Sequence, residues 1–187
     1  MIQKYPVGIQ DFEKLRRENF LYVDKTEFVY KMANVGGYYF LSRPRRFGKS
    51  LFISTLESLF LSKKELFEGL YIEDKWDWSQ HYPIIRISFS NIGHKEKGLY
   101  QAIDDQLDKI AESYAIVLTE SVISGKFKEL IEQLSASRGK VVVLIDEYDK
   151  PIIDFLGDKI DKEDPFAAQD EDAYVTTMEQ YREKIGY

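Results

Sequence analysis

The segment YYFLSRPRRFGKSLFISTLESLF, from Tyr38 to Phe60, constrains the fold more than any other part of the chain. Tyr38 to Ser42 is too apolar for a solvated face and too short for a helix, so it reads as a buried strand. A basic turn follows and ends in Gly48-Lys49-Ser50. From Ser50 to Leu61, the residues Phe52, Leu56, Leu59 and Phe60 recur at helical spacing and form a stripe that presses on a sheet. A strand that breaks into a glycine-bearing turn and re-enters a helix directs the first amide N–H groups of that helix into the turn, where they hold an anion. Lys49 and Ser50 stand where a nucleotide needs them, the ammonium toward the β- and γ-phosphates and the hydroxyl toward Mg²⁺. The expected phosphate loop comprises Arg45, Arg46, Phe47, Gly48, Lys49, Ser50 and Leu51, and Lys49 is also expected to be catalytic.

The usual pattern, G-x-x-x-x-G-K-[ST], has glycine where this chain has Arg43, and Pro44 follows. Losing that glycine removes conformational freedom at the loop entrance, and the proline fixes φ beside it, so the loop enters by a different turn. A G-K-S tripeptide between a strand and a helix also arises by chance, so a second motif is needed. Val141-Val142-Val143-Leu144-Ile145 is a continuous aliphatic run, as in a central strand of a parallel sheet covered on both faces, and it ends in Asp146-Glu147. Carboxylates at the carboxyl end of such a strand lie on the edge where open α/β sheets bind ligands, the same edge from which a phosphate loop emerges. Asp146 is the expected partner of Mg²⁺ through water, together with the Ser50 hydroxyl. Glu147, on the other side of the strand end, is the expected catalytic residue that polarises a water in line with the γ-phosphate. Adjacent Asp and Glu point to the ATPase branch of P-loop folds.

Other chemistries are excluded or disfavoured. There are no cysteines, and the two histidines, His81 and His94, have no ligand-like neighbours, which removes disulfides, thiolate catalysis and a zinc cluster. Net charge is −6 and pI about 5.1, so no global basic field recruits nucleic acid, although Arg43, Arg45 and Arg46 form a local positive patch better placed for phosphates than for a duplex. No run approaches the ~20 apolar residues of a membrane span, and no secretory signal pattern opens the chain, so it reads as cytoplasmic without a membrane partner.

Along the rest of the chain, Asp11 caps a first short helix. Asp24 and Glu27 have capping-box spacing before a helix with Phe28, Val29 and Met32 on one face, ending at Gly36-Gly37. This preface either packs as a cover or contacts the nucleotide base. Lys63 to Leu70 reads as a short helix, and Trp76 and Trp78 as satellite core. Ile84 to Phe89 is a second strand, residues 96–115 an amphipathic helix, and Ile123 to Leu134 another that Gly125 interrupts near its start and Gly139 ends.

The segments YPVGIQDFEKLRRENFLYVDKT, FLSRPRRFGKSLF and VVVLIDEYDKPI, in that order, resemble the AAA-ATPase-like family, whose members commonly carry a C-terminal nuclease-like domain of the PD-(D/E)XK type. The resemblance covers residues 5 to about 156. It implies ATP binding and hydrolysis, a phosphate loop with arginines in place of the first glycine, and a signature role for Asp24, Lys25 and Thr26 that the residues themselves do not explain. It also implies a further strand, inserted between the two motif-bearing strands and carrying a γ-phosphate sensor. That strand is not recognisable here, because after Gly157 the chain is acidic and Tyr174, Met178, Tyr181 and Ile185 fall at helical spacing.

These readings give an α/β chain, a three-layer αβα P-loop fold with a mostly parallel sheet, truncated before the sensor strand. Residues 1–37 are a helical preface, 38–156 the ATPase core and 157–187 an acidic tail. Without a central strand, the 38–42 and 141–145 strands must pair directly, remain open edges or recruit another chain. The expected activity is Mg²⁺-dependent ATP binding and hydrolysis. The alternative is a non-hydrolysing nucleotide switch or interaction module, with a protein partner or a second copy. Nucleic acid enters only through the absent C-terminal domain.

Overall fold

The structure is a computed structural model that describes residues 4–42, 44, 46–90 and 97–154. The expected tail pattern from Gly157 onward lies outside the described residues, as do Arg43 and Arg45. Along the chain, α1 spans Phe12–Arg17, α2 Thr26–Val35 and α3 Lys49–Phe60, followed by a short 3₁₀ turn at Lys64–Phe67. Then come β1 at Ile84–Ser88, α4 at Leu99–Ser113, α5 at Ile123–Arg138 and β2 at Val142–Asp146.

Mixed helix and strand with a small parallel sheet place the chain in the α/β class. Among the described residues the sheet has two strands, with Ile84 opposite Val142 and Ser88 opposite Asp146. Alternation of side chains across a strand sends Ile84 and Leu144 to one face and Ile85 and Ile87 to the other. The first face packs into a core with Leu56 and Leu59 of α3, Phe12 of α1, Val29 of α2, and Leu66, Phe67 and Ile72. The second packs against Leu107 and Ala111 of α4 and Leu130 and Leu134 of α5. Helices therefore cover both faces of β1. Each fully buried large apolar side chain contributes about 1.5–3 kcal/mol relative to exposure.

The cover is uneven. Val143 and Ile145, on the α4/α5 side of β2, remain 38% and 48% exposed, so β2 is not the doubly covered central strand that its aliphatic run suggests. The expected strand at 38–42 is also corrected. Those residues make no ladder, and Tyr38, Tyr39, Phe40 and Leu41 are exposed. A strand exists only if its backbone groups find a neighbour, and the edge of β2 that would accept one is unpaired by it. Among the described residues the two motif-bearing segments do not pair with each other, and β2 pairs with β1 instead.

Other expectations hold with smaller shifts. Asp11 caps α1, its carboxylate accepting from Lys14 N at 2.6 Å. The expected capping box is replaced, because α2 begins at Thr26 and Asp24 accepts from Thr26 N at 2.7 Å, while Glu27 pairs with Lys31. Helix α5 runs through Gly125 without interruption and ends at Gly139, whose φ of 84° suits glycine. Trp76 packs edge-on to Phe60 and Trp78 against Phe67, as satellite core. No helix among the described residues is long and apolar enough to cross a membrane.

Candidate functional site

The helix that begins at Lys49 is positioned by its own side chains and by the preface. Gly48 adopts the left-handed conformation at φ 74° and ψ 25°, its carbonyl accepting the first helical bond from Phe52 N at 3.0 Å. A glycine takes this geometry without the Cβ clash that other residues meet. Arg46 also has positive φ, 65°, so the loop curls back on itself before the helix opens. From the other side, α1 fixes α3, since Phe12 N donates to Ser54 Oγ at 3.0 Å and the Phe12 ring is buried. The preface thus packs on the helix that follows the loop.

The structure brings the two sequence motifs together. Ser50 Oγ donates to Asp146 Oδ1 at 3.3 Å. Asp146 is the last residue of β2 and only 6% exposed, on the face that α3 covers. A second contact joins the same two regions, where the rings of Phe40 and Tyr148 lie 5.6 Å apart. Glu147 directly follows the strand with φ 53°, a conformation that costs a non-glycine residue roughly 1–2 kcal/mol. Its carbonyl accepts from Lys150 N at 3.0 Å, which closes a turn at the strand end. Lys49 and Ser50 are half-buried in the first turn of α3.

The remaining expected loop residues divide. Phe47 is 62% exposed and Arg46 is exposed, so both border the loop from solvent. Leu51 packs on the core, which leaves only its backbone for a ligand. Arg45 lies outside the described residues.

Asp24 and Thr26, whose role the residues alone left open, form a clasp. Asp24 Oδ1 accepts from Thr26 N and from Thr26 Oγ1, both at 2.7 Å, and Asp24 Oδ2 accepts from Tyr71 N at 2.7 Å. The fully buried Thr26 Oγ1 in turn accepts from Ile72 N at 3.2 Å. Burial pushes the Asp24 carboxyl up, but the amides of Tyr71 and Thr26 and the Thr26 hydroxyl outweigh it and hold it below the ordinary carboxylate range. The clasp ties the start of α2 to the loop after the 3₁₀ turn.

Sequence reasoning overlooked Ser88. It ends β1 directly opposite Asp146, and its hydroxyl lies 2.9 Å from that of Ser90. A lone serine at a strand end carries no motif, so only the strand register reveals its place. Among the described residues, no group of three or more His, Cys, Asp or Glu side chains could hold a metal.

The model of a family described as predicted AAA-ATPase matches residues 6–174. "Uncharacterized protein in vnfD 5'region" from Azotobacter chroococcum mcd 1 is 46% identical over 163 residues, covering 82% of this chain and 30% of the relative. The chain therefore spans less than a third of that relative's length. No solved structure matches.

Proposed function

The chain belongs to the predicted AAA-ATPase family, and on that premise we propose that it is a Mg²⁺-dependent ATP-binding and ATP-hydrolysing module with a three-layer P-loop fold. The observation that carries the reading is the approach of Ser50 Oγ to Asp146 Oδ1 at 3.3 Å. One hydroxyl and one carboxylate oxygen at a helix N-terminus are the hard donors that Mg²⁺ takes alongside phosphate oxygens and water. Such a site needs no cluster of three protein acids, so the donor set fits the ion. When bound, Mg²⁺ supplies charge neutralisation to the β- and γ-phosphates.

In this reading the residues divide the work. The N-terminal turn of α3 and Gly48 cradle the phosphates with backbone amides, and Arg45, Arg46, Phe47 and Leu51 complete the loop. Lys49 neutralises phosphate charge as it develops. Ser50 and Asp146 hold the ion, the latter through water. Glu147 orients a water and accepts its proton. Residues 38–156 form the ATPase core, 1–37 its brace and 157–187 a tail, with the cytoplasm as the site of action.

A second reading, a nucleotide switch without turnover, is favoured by the unpaired 38–42 segment and the open face of β2. Phosphate release by the chain and by Glu147→Gln separates the two. Turnover lost by Glu147→Gln with ATP binding retained supports hydrolysis. Binding without turnover in either protein supports the switch.

A further inference from the structure

We infer that Ser88 is a positioning residue of the cation site, its hydroxyl holding a water of a hydrated divalent ion beside Asp146. The inference rests on the nucleotide reading above and adds a residue to it. In a parallel pair, register partners project to the same face. Ser88 is the partner of Asp146, so its side chain lies on the α3 face next to the carboxylate that meets Ser50. Three short oxygen-bearing side chains, from α3, β1 and β2, therefore converge at one strand end.

The backbone at this point is held more firmly than a strand terminus requires. Ser88 N donates to Gln106 Oε1 on α4 at 3.1 Å, and Phe89 N donates to the Asp146 carbonyl at 3.1 Å. These two bonds pin the end of β1 from both sides, so the Ser88 hydroxyl keeps a fixed place relative to Asp146. That hydroxyl accepts from Ser90 N at 3.5 Å and lies 2.9 Å from Ser90 Oγ, and when it donates to Ser90 Oγ one lone pair remains for a water. A carboxylate that holds an ion through water depends on neighbours that orient the water, and removing such neighbours typically lowers metal affinity by about 10-fold or more. The bland alternative is that Ser88 and Ser90 merely close the strand end.

Binding of a fluorescent ATP analogue to the full chain, in EDTA and across a Mg²⁺ series, decides between them. Ser88→Ala should raise the Mg²⁺ concentration for half-maximal enhancement of binding by about 10-fold, leave affinity in EDTA and the melting temperature unchanged, and be rescued by Ser88→Thr. The isosteric pair Ser88→Thr and Ser88→Val carries the same test if the alanine variant melts early. An unchanged Mg²⁺ requirement, or an equal loss of affinity in EDTA, overturns the assignment of Ser88 alone. A wild-type chain that binds no nucleotide under either condition overturns the nucleotide reading, and this inference with it.

Discussion

Ser50 and Asp146 meet at 3.3 Å although 96 residues separate them. Neither depends on the 38–42 segment for its place. Helix α3 is held by α1 and by its own leucines in the core, and β2 is held by its register with β1. The loop between Ser42 and α3 is thus anchored at its C-terminal side, where the proposed phosphate site begins. Lys49 stands at that anchored end, so its substitution should act on binding and not on folding. Lys49→Ala is expected to weaken ATP binding by about 10- to 100-fold, the range for losing a hydrogen bond to a charged group. The loss should be similar with and without Mg²⁺, because in the proposed site the ammonium contacts phosphate directly. Isothermal titration of the variant beside thermal melting checks both halves, and an unchanged affinity would remove Lys49 from the site.

The Asp24 clasp predicts an acid-sensitive term in stability. Its carboxyl is held below the ordinary range in the folded chain, so the ionised form stabilises the fold. That contribution is fully present above the unfolded value of about 3.9 and is lost as pH falls through the lower folded value. Asp24 stands partly in water, which limits the effect to about 1 kcal/mol. Wild type should exceed Asp24→Asn in melting temperature at pH 6, and the gap should narrow as pH falls below the unfolded value of about 3.9. Thr26→Val should cost more, about 1–3 kcal/mol, because it leaves the Ile72 amide buried without an acceptor.

Lys126 joins α5 to α4 through two carboxylates. Its ammonium lies 2.8 Å from Asp104 Oδ1 and 2.9 Å from Asp108 Oδ1, with the lysine side chain 12% exposed. The Asp104 and Asp108 carboxylates, accepting from the ammonium, raise its affinity for the proton, so it stays charged through the neutral range. Lys126→Ala leaves two acids one turn apart on α4 without their shared cation. The expected destabilisation is about 1–3 kcal/mol, below that of a fully buried pair. Urea unfolding should show it, and Asp104→Asn in the same background should recover part of the loss.

The parts of the fold legible in the sequence are those whose signal is local. The apolar stripe of α3, the Ile84 strand and the helical spacing of α4 and α5 each place members of their pattern in the core, among them Leu56, Leu59, Ile84, Leu107, Leu130 and Leu134. The G-K-S and Asp-Glu motifs are local signals as well, and the fold brings their Ser50 and Asp146 within 3.3 Å of each other. Tyr38 to Leu41 carries an equally strong apolar signal yet stays exposed, since a strand is completed by a neighbour that its own sequence does not supply. Gly125 stays helical because the surrounding turns of α5 supply the hydrogen bonds and packing that its own propensity lacks. Ser88 and the Asp24 clasp were hidden for a third reason. Their partners, Asp146 in one case and Tyr71 and Ile72 in the other, are distant in sequence and fixed only by tertiary register.

The two sheet edges are managed differently, and this predicts how the chain associates. Along the outer edge of β1, Tyr114 Oη accepts from Ile84 N at 2.7 Å, and Gln106 Oε1 accepts from Ser88 N at 3.1 Å, so α4 side chains blunt both ends of the strand. Among the described residues, none does the same for β2. Beside that edge, Val143 and Ile145 present a half-exposed apolar face, and Tyr38 and Phe40 are exposed as well. An open strand edge flanked by apolar side chains pairs with another chain unless a charge opposes it. The wild-type chain is therefore expected to self-associate with rising concentration. Ile145→Lys should lower its weight-average mass in sedimentation at equal concentration, with little change in unfolding midpoint, because Ile145 is 48% exposed and contributes little to the core. A lysine at Ile87, by contrast, should unfold the chain, since that side chain lies under α4 and α5. If Ile145→Lys associates as strongly as wild type, the β2 edge is not the surface through which copies meet.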